Sequence, residues 1–297
     1  MPNKCYELSE RKVVESLASK IKIVTDSTSD LPEELVRMHD IHVVPLYVNF
    51  SEATYKDGVD LAAKDFYPML EKAKDSLPKT SMPSVGDFVK VYESLLQQGY
   101  EILSIHISSG LSGTASVAET AAGMLKGRIS VFDSKSISAG IGLQVLEAVE
   151  MVKQNLSLDH ILSRLEEVRQ RTEVFFSLDT LEYLEKGGRI GRVSALLGSL
   201  LKIKPVVRVE NGIYVPLDRV RNQKQAIQKM VEHMVKTLAG HKPKGVAVVH
   251  GAAEELAKEL KKLVEETVGI KISLFKETGP VIGVHTGPGT LGVGFTY

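Results

Sequence analysis

Hydroxyl side chains, glycines and a histidine gather in short stretches of this chain in a pattern suited to holding an anion. The run Ser108-Ser109-Gly110-Leu111-Ser112-Gly113-Thr114 follows an apolar stretch ending at Ile107 and opens a helical pattern that starts near Thr114. A loop so placed lies at the carboxyl end of a parallel strand, where α/β sheets bind ligands. The helix start supplies unpaired N–H groups and the positive end of a dipole, while the glycines let a ligand approach the backbone. A carboxylate or phosphate is the matching occupant. A simple Ser/Thr cap with turn glycines is the competing reading of the same residues.

Three further stretches carry chemistry. In Thr80-Ser81-Met82-Pro83-Ser84, Ser84 pairs with Asp87 as a capping box, which leaves Thr80 and Ser81 unexplained by the cap. In Gly279 to Gly289, His285 ends an apolar segment, Val281–His285, that reads as a strand running into a Gly/Pro turn. A histidine at a strand end beside glycines is a site candidate, although lone histidines are more often structural. In Leu181 to Arg192, Gly187-Gly188 terminates a short helix and Arg189 and Arg192 project from the loop beyond it. Those arginines read either as solvated surface or as contacts to a phosphate or a partner. Asp26 and Asp133 stand at strand ends, where a turn-capping role competes with a ligand contact.

The elements that must position these groups alternate between strand and helix. Ser9–Ser19 reads as an amphipathic leader helix. Strand Ile21–Thr25 leads into the turn Asp26–Asp30, and Pro32 suits the first turn of a helix. Apolar runs at Val43–Phe50, Ile102–Ile107 and Ile129–Phe132 are followed by helical patterns at Val85–Gln97, Thr114–Leu125 and Ile141–Val152. Such alternation predicts right-handed crossovers and a doubly wound, mostly parallel α/β domain. After about Arg171 the pattern changes. Val174–Leu178 is a strand, and Asn211-Gly212 between two β-rich runs is a hairpin signal. Helices at Gln223–Leu238 and Ala252–Thr267 alternate with strands at Val246–Val249, Ile270–Phe275 and Val281–His285. The expectation is a leader over residues 1–20, an α/β domain over 21–171 and an α+β domain with mixed or antiparallel pairing over 172–297.

Composition narrows the function. The 297 residues hold 37 Lys plus Arg against 37 Asp plus Glu, so no excess positive charge favours nucleic acid or anionic membrane. The single cysteine, Cys5, permits neither an internal disulfide nor a cysteine-rich metal site. The polar N-terminus lacks the apolar core of a signal peptide, and Val193–Leu201 is too short to span a bilayer. A cytoplasmic protein without a metal or cofactor, with at most transient membrane contact, is the expectation.

Taken in order, these stretches resemble the DegV family. The resemblance runs through Ile23–Asp30, Thr80–Ser84, Ser108–Thr114, Val131–Ser134, Gly187–Arg192 and His285–Gly289, and covers Ile21 to Tyr297. It implies two domains with a long-chain fatty acid, such as palmitate or oleate, held between them. It further implies an acyl-binding subunit of a bacterial fatty acid kinase, itself non-catalytic, which presents the carboxyl group to a separate ATP-binding subunit and then holds the acyl phosphate. Carried over, Thr80 and Ser112 hydrogen-bond the carboxyl group with His285 nearby, Ser81, Ser109 and Gly113 support the loops, and Arg189 or Arg192 engages the kinase subunit. The alternative is a serine hydrolase using Ser112 and His285 with Asp26 or Asp133. Against it, Ser112 lacks a Gly-x-Ser-x-Gly elbow.

Overall fold

Two sheets face one another across a helix that has almost no polar face. The computed structural model describes residues 20–73, 76–196 and 203–297, so all of the expected leader except Lys20 lies outside the described residues. The chain runs β1 (Ile21–Asp26), α1 (Glu33–Met38), β2 (His42–Val44), β3 (Tyr47–Asn49), β4 (Thr54–Lys56), α2 (Ala63–Lys72), β5 (Lys79–Ser81) and α3 (Val85–Gln97). Next come β6 (Glu101–His106), α4 (Thr114–Gly123), β7 (Ile129–Asp133), α5 (Ala139–Lys153), α6 (Leu158–Gln170), β8 (Thr172–Ser177) and α7 (Glu182–Lys186). The remainder is β9 (Lys204–Glu210), β10 (Ile213–Val220), α8 (Gln223–Leu238), β11 (Gly245–His250), α9 (Glu254–Val268), β12 (Leu274–Glu277), α10 (Pro280–Thr286) and β13 (Leu291–Thr296).

The fold is α/β. The first sheet is parallel throughout, in the order β2-β1-β6-β7. The second has the order β10-β9-β8-β13-β11-β12 and is antiparallel except for β11 beside β12. A small antiparallel sheet, β4-β3-β5, stands apart from both. After β1 the chain turns to one side of the first sheet, and after β6 to the other. The loops that follow these two neighbours therefore open a crevice at the switch point.

Helix α5 explains how the sheets are joined. Ile141, Leu143, Val145, Ala148, Val149 and Met151 are all buried, which leaves little of the helix for water. A helix apolar on nearly every side must be covered on every side. One core cluster accordingly holds Ile23, Leu103 and Ile105 from the first sheet, α5 itself, and Val174, Phe176 and Ala247 from the second. Helices α3 and α4 cover the outer face of the first sheet, and α8 and α9 that of the second. Among the described residues, no helix is long and apolar enough to cross a membrane.

The Asn211-Gly212 hairpin forms as expected: both residues have positive φ, 51° and 80°, and Glu210 pairs with Ile213. Such a two-residue turn needs left-handed backbone at both positions. Three sequence readings are corrected. The run Val43–Phe50 is two strands in two sheets, because Pro45 has no N–H with which to continue a ladder. The strand expected at Ile270–Phe275 begins at Leu274, since Ile272 spends its N–H on the Glu265 carboxylate that closes α9. The segment Val281–His285 is helical, not extended. Gly279 caps it, Pro280 occupies its first turn, and burial of Val281, Ile282 and Val284 between two cores outweighs their β preference.

Strand β13, central in the second sheet, carries no strong strand signal because Gly292 and Gly294 interrupt it. A Cβ on Gly294 would sit 2.9 Å from the Ala139 Cβ, so the glycine lets α5 approach the sheet. Gly142, three residues further along α5, allows another close approach: a Cβ there would lie 2.9 Å from the Ser29 carbonyl oxygen. Gly142→Ala should therefore destabilise by about 1–3 kcal/mol in urea unfolding, although alanine favours a helix interior by about 1 kcal/mol. A gain in stability would show that α5 does not approach the Ser29 backbone this closely.

Candidate functional site

The crevice at the switch point is closed over by the small sheet and by α10, and the space left between them is a cavity of about 320 Å³. Thr80 reaches it from β5, Ser112 from the β6–α4 loop and His285 from α10. These residues are 205 positions apart at the extremes of one hydrogen bond, with Thr80 Oγ1 2.8 Å from His285 Nε2. Ser81 and Gly113 also line the cavity. Apolar walls come from Leu46, Ile107, Leu111, Ile137, Val281 and Ile282, with Tyr214 from β10. Among the described residues, none that lines the cavity is acidic.

Local chemistry fixes each group. Ser112 Oγ lies 2.8 Å from Thr114 Oγ1 and accepts from the Thr114 N–H at 3.4 Å, which holds its hydroxyl beside the start of α4. The loop is braced from the second sheet: Ser108 Oγ donates to the Gly212 carbonyl at 2.8 Å, at the tip of the β9–β10 hairpin. A Cβ on Gly110 would stand 2.7 Å from that same carbonyl oxygen, so the hairpin seats only against a glycine. Ser84 and Asp87 form the expected capping box for α3. Met82 rests on Gly113 and stays 47% exposed at the rim.

His285 is neutral near pH 7. Burial lowers its pKa to about 4, and the Arg189 guanidinium adds to the shift. Its Nδ1 is buried without a partner, pressed against Gly187. A stranded N–H donor costs about 1–3 kcal/mol, so the favoured tautomer carries its proton on Nε2 and donates to Thr80. The Thr80 hydroxyl hydrogen is then free to donate into the cavity. Arg189 lines the same cavity, with Nη1 donating to the Gly187 carbonyl at 2.7 Å. A second cavity of about 410 Å³ shares Thr80, Arg189 and His285, and adds Lys79 and Lys186.

Ser109 and Arg192 are not brought to the cavity. The Ser109 N–H faces the Asp133 carboxylate and its hydroxyl accepts from Lys135, while Arg192 is exposed in the 3-10 turn Gly191–Leu196. A Ser112–His285–acid relay does not assemble either. His285 bonds Thr80, Ser112 bonds Thr114, Asp133 pairs with Lys135, and Asp26 belongs to another network. That network runs Tyr92 to Ser104 to His106 to Asp26, in steps of 2.7, 2.7 and 2.9 Å. Thr28 and the Ile107 N–H complete the Asp26 carboxylate. The side chains of Asp26, Ser104 and His106 are wholly buried, so this hydroxyl–imidazole–carboxylate chain braces β1 against β6 and meets no substrate. Among the described residues, no group of three His, Cys, Asp or Glu side chains is placed to hold a metal ion.

Comparison with known proteins identifies the family. The family model described as "Uncharacterised protein, DegV family" matches residues 20–297. The chain belongs to the DegV family. A DegV domain-containing protein of Staphylococcus aureus (strain COL) is 38% identical over 271 residues, 91% of this chain and 96% of that one. Among solved structures, a fatty-acid-binding DegV family protein of Thermus thermophilus superposes with a TM-score of 0.87 at 38% identity, covering 93% of this chain and 99% of its own. A stearic-acid-binding protein of Eubacterium ventriosum gives 0.88 at 31% identity, with 93% and 98% covered.

Sequence inspection singled out the polar groups and missed most of the walls. Ile107 and Ile137 follow strands and look like ordinary core residues, and Tyr214 is marked only by its place two residues beyond the Asn-Gly turn. In lipid-free protein, the His285 ring signals in NMR should stay those of a neutral imidazole from about pH 8 down to about pH 5.5, well below the ordinary histidine midpoint. Arg189→Ala should raise the midpoint only in part, because burial is the larger cause. A wild-type midpoint near the ordinary value would mean that the ring is open to water.

Proposed function

We propose that this DegV-family chain binds one long-chain fatty acid, with its carboxylate at Thr80 and Ser112 beside neutral His285 and Arg189. The reading rests on one observation: apolar walls, hydroxyl donors and a guanidinium share a cavity whose lining holds no acidic residue. Burying about fourteen methylenes contributes on the order of 11 kcal/mol at about 0.8 each, and ordering a flexible chain removes part of it. The tail then supplies affinity, and the site needs only to leave the carboxylate no worse off than in water. Charge-assisted donors do this, whereas an acidic neighbour would not. The fatty-acid-binding relatives of Thermus thermophilus and Eubacterium ventriosum support the same ligand class.

The finer reading is a carrier subunit that presents the carboxyl group to a separate ATP-binding kinase subunit and then holds the acyl phosphate. Its support is the second cavity, where Lys79, Lys186 and Arg189 surround space next to Thr80 and His285 that a phosphoryl group could occupy. The chain has no Gly-x-x-x-x-Gly-Lys phosphate loop of its own. Exposed Arg192 lies outside both cavities, where it suits contact with an acidic partner surface.

Native mass spectrometry of the protein purified from a cell host should show one bound fatty acid. Protein that is repeatedly lipid-free and takes up neither added palmitate nor oleate would refute the ligand. Ser112→Ala and Thr80→Ala should each weaken palmitate binding by about 1–3 kcal/mol. Unchanged affinity in both would place the head group elsewhere. Arg189→Ala should lower both lipid retention and acyl-phosphate formation with a matched ATP-binding subunit. Arg192→Ala should lower only the second, and normal turnover in it would remove Arg192 from the kinase encounter.

A further inference from the structure

Two buried carboxylates meet at the start of the helix that carries His285. Asp30, at the end of the turn after β1, accepts from the Gly279 N–H at 2.8 Å and from the Ser138 hydroxyl at 2.5 Å. It thereby ties the start of α10 to the start of α5, where Ser138 holds an uncommon backbone conformation, φ 51° and ψ −123°. Asp57 directly follows β4 of the small sheet, with its N–H donating to the Leu46 carbonyl at 2.9 Å. A Cβ on Gly279 would lie 3.0 Å from Asp57 Oδ1 and 3.4 Å from Asp30 Oδ1, so both carboxylates flank one Cα. Asp30 has its donors. Neither buried oxygen of Asp57 closes a hydrogen bond of good geometry.

The surroundings decide which of the two holds a proton. Asp57 is faced by the Ser27 hydroxyl and the Val281 N–H, which ease its charge, and by Asp30, which opposes it. Lys276 acts on both carboxylates from β12, while its ammonium donates to the Leu31 carbonyl at 2.6 Å. Asp26 adds a like charge to Asp30. Tyr67, from α2, pairs with Thr278 and stays neutral, and Glu277 lies near it. Burial pushes Asp30 up to about 6 in spite of its two donors, and pushes Asp57 up to about 7, with the Asp30 charge adding to the shift. Asp30 has two well-formed donors to hold its charge and Asp57 has none, so Asp57 is the side of the pair on which a shared proton is favoured.

We propose that Asp57 is a proton-operated latch on α10. With its proton on, the small sheet closes against the helix that forms the Val281, Ile282 and His285 side of the cavity. With its proton off, two carboxylates oppose each other at Gly279 and that side loosens. The consequence for ligand release rests on the fatty-acid reading; the motion of α10 does not.

The sign follows from linkage. An acid whose folded pKa lies above its unfolded value costs nothing below the unfolded value, and its penalty grows until the folded pKa is passed. Tightness of α10 is thus lost from the mildly acidic range up to about pH 7. His285, held near 4, does not titrate across the upper part of that window.

Hydrogen-exchange protection of residues 280–286 and the dissociation rate of palmitate, measured on the full chain from about pH 5 to about pH 8, test the latch. In the wild type, protection should fall and release accelerate with pH, by about tenfold for each unit by which opening lowers the Asp57 pKa. Asp57→Asn should hold the low-pH behaviour throughout. Asp30→Asn, which removes the opposing charge, should shift the transition to lower pH. A flat wild-type protection profile, or the same slope in Asp57→Asn, overturns the latch. Palmitate that binds at no pH counts against the fatty-acid reading alone, because the protection profiles still decide the latch.

Discussion

A helix with almost no face for water must be packed from every direction, and α5 imposes that condition on both sheets. The first sheet meets it through Ile23, Leu103 and Ile105, and the second through Val174, Phe176 and Ala247. Once the sheets face each other across α5, the loops after β1 and β6 end beside the helix start, with Ile137 and Ser138 between them. The hairpin tip at Gly212 comes to rest on the Ser108–Gly110 loop for the same reason. The cavity lies where these edges meet and where the small sheet and α10 fill the remaining gap. Its position follows from packing rather than from any pull of the polar groups toward one another.

Within the cavity, charge is handled by restraint. The lining has one guanidinium, two serines and two threonines, and a histidine that burial keeps neutral. A protonated imidazole there would bind a carboxylate strongly, but burying its charge with no ligand present would be costly. Neutral His285 instead orders Thr80 through a hydrogen bond and leaves the threonine proton available. A different arrangement holds Asp26, which is wholly buried and accepts from the Thr28 N–H and the Ile107 N–H, with His106 Nδ1 2.9 Å away. Asp57 is buried like Asp26, but the Ser27 hydroxyl and the Val281 N–H that face it close no hydrogen bond of good geometry. Burial pushes its pKa up to about 7, the opposite direction from His285.

Much of this was legible from the residues alone. The alternation of strands and helices, the α3 boundaries with their capping box, the Asn-Gly hairpin and the glycine stop after α7 all arise from interactions within a few residues of one another. Thr80, Ser112 and His285, which share the cavity, stood out because hydroxyls and a histidine beside glycines are uneconomical in an ordinary core. The walls did not stand out, because Ile107 and Ile137 differ from other buried isoleucines only in what lies opposite them. Segment 281–285 was misread for a related reason: Val-Ile-Gly-Val is locally extended by preference, and only burial between two cores makes a short helix the better choice.

Sequence by itself determined much of the local grammar of this protein: the capped helices, the Asn-Gly turn, and the alternation of strand and helix in its first half. Tertiary structure alone decided that Thr80 and His285 share a hydrogen bond and that Ser109 faces Asp133 rather than the cavity. It also decided that Asp30 and Asp57 flank the same glycine. The division has a physical cause. Propensity, capping and turn chemistry act over a few bonds, whereas desolvation and the pairing of distant groups depend on what the whole chain brings alongside.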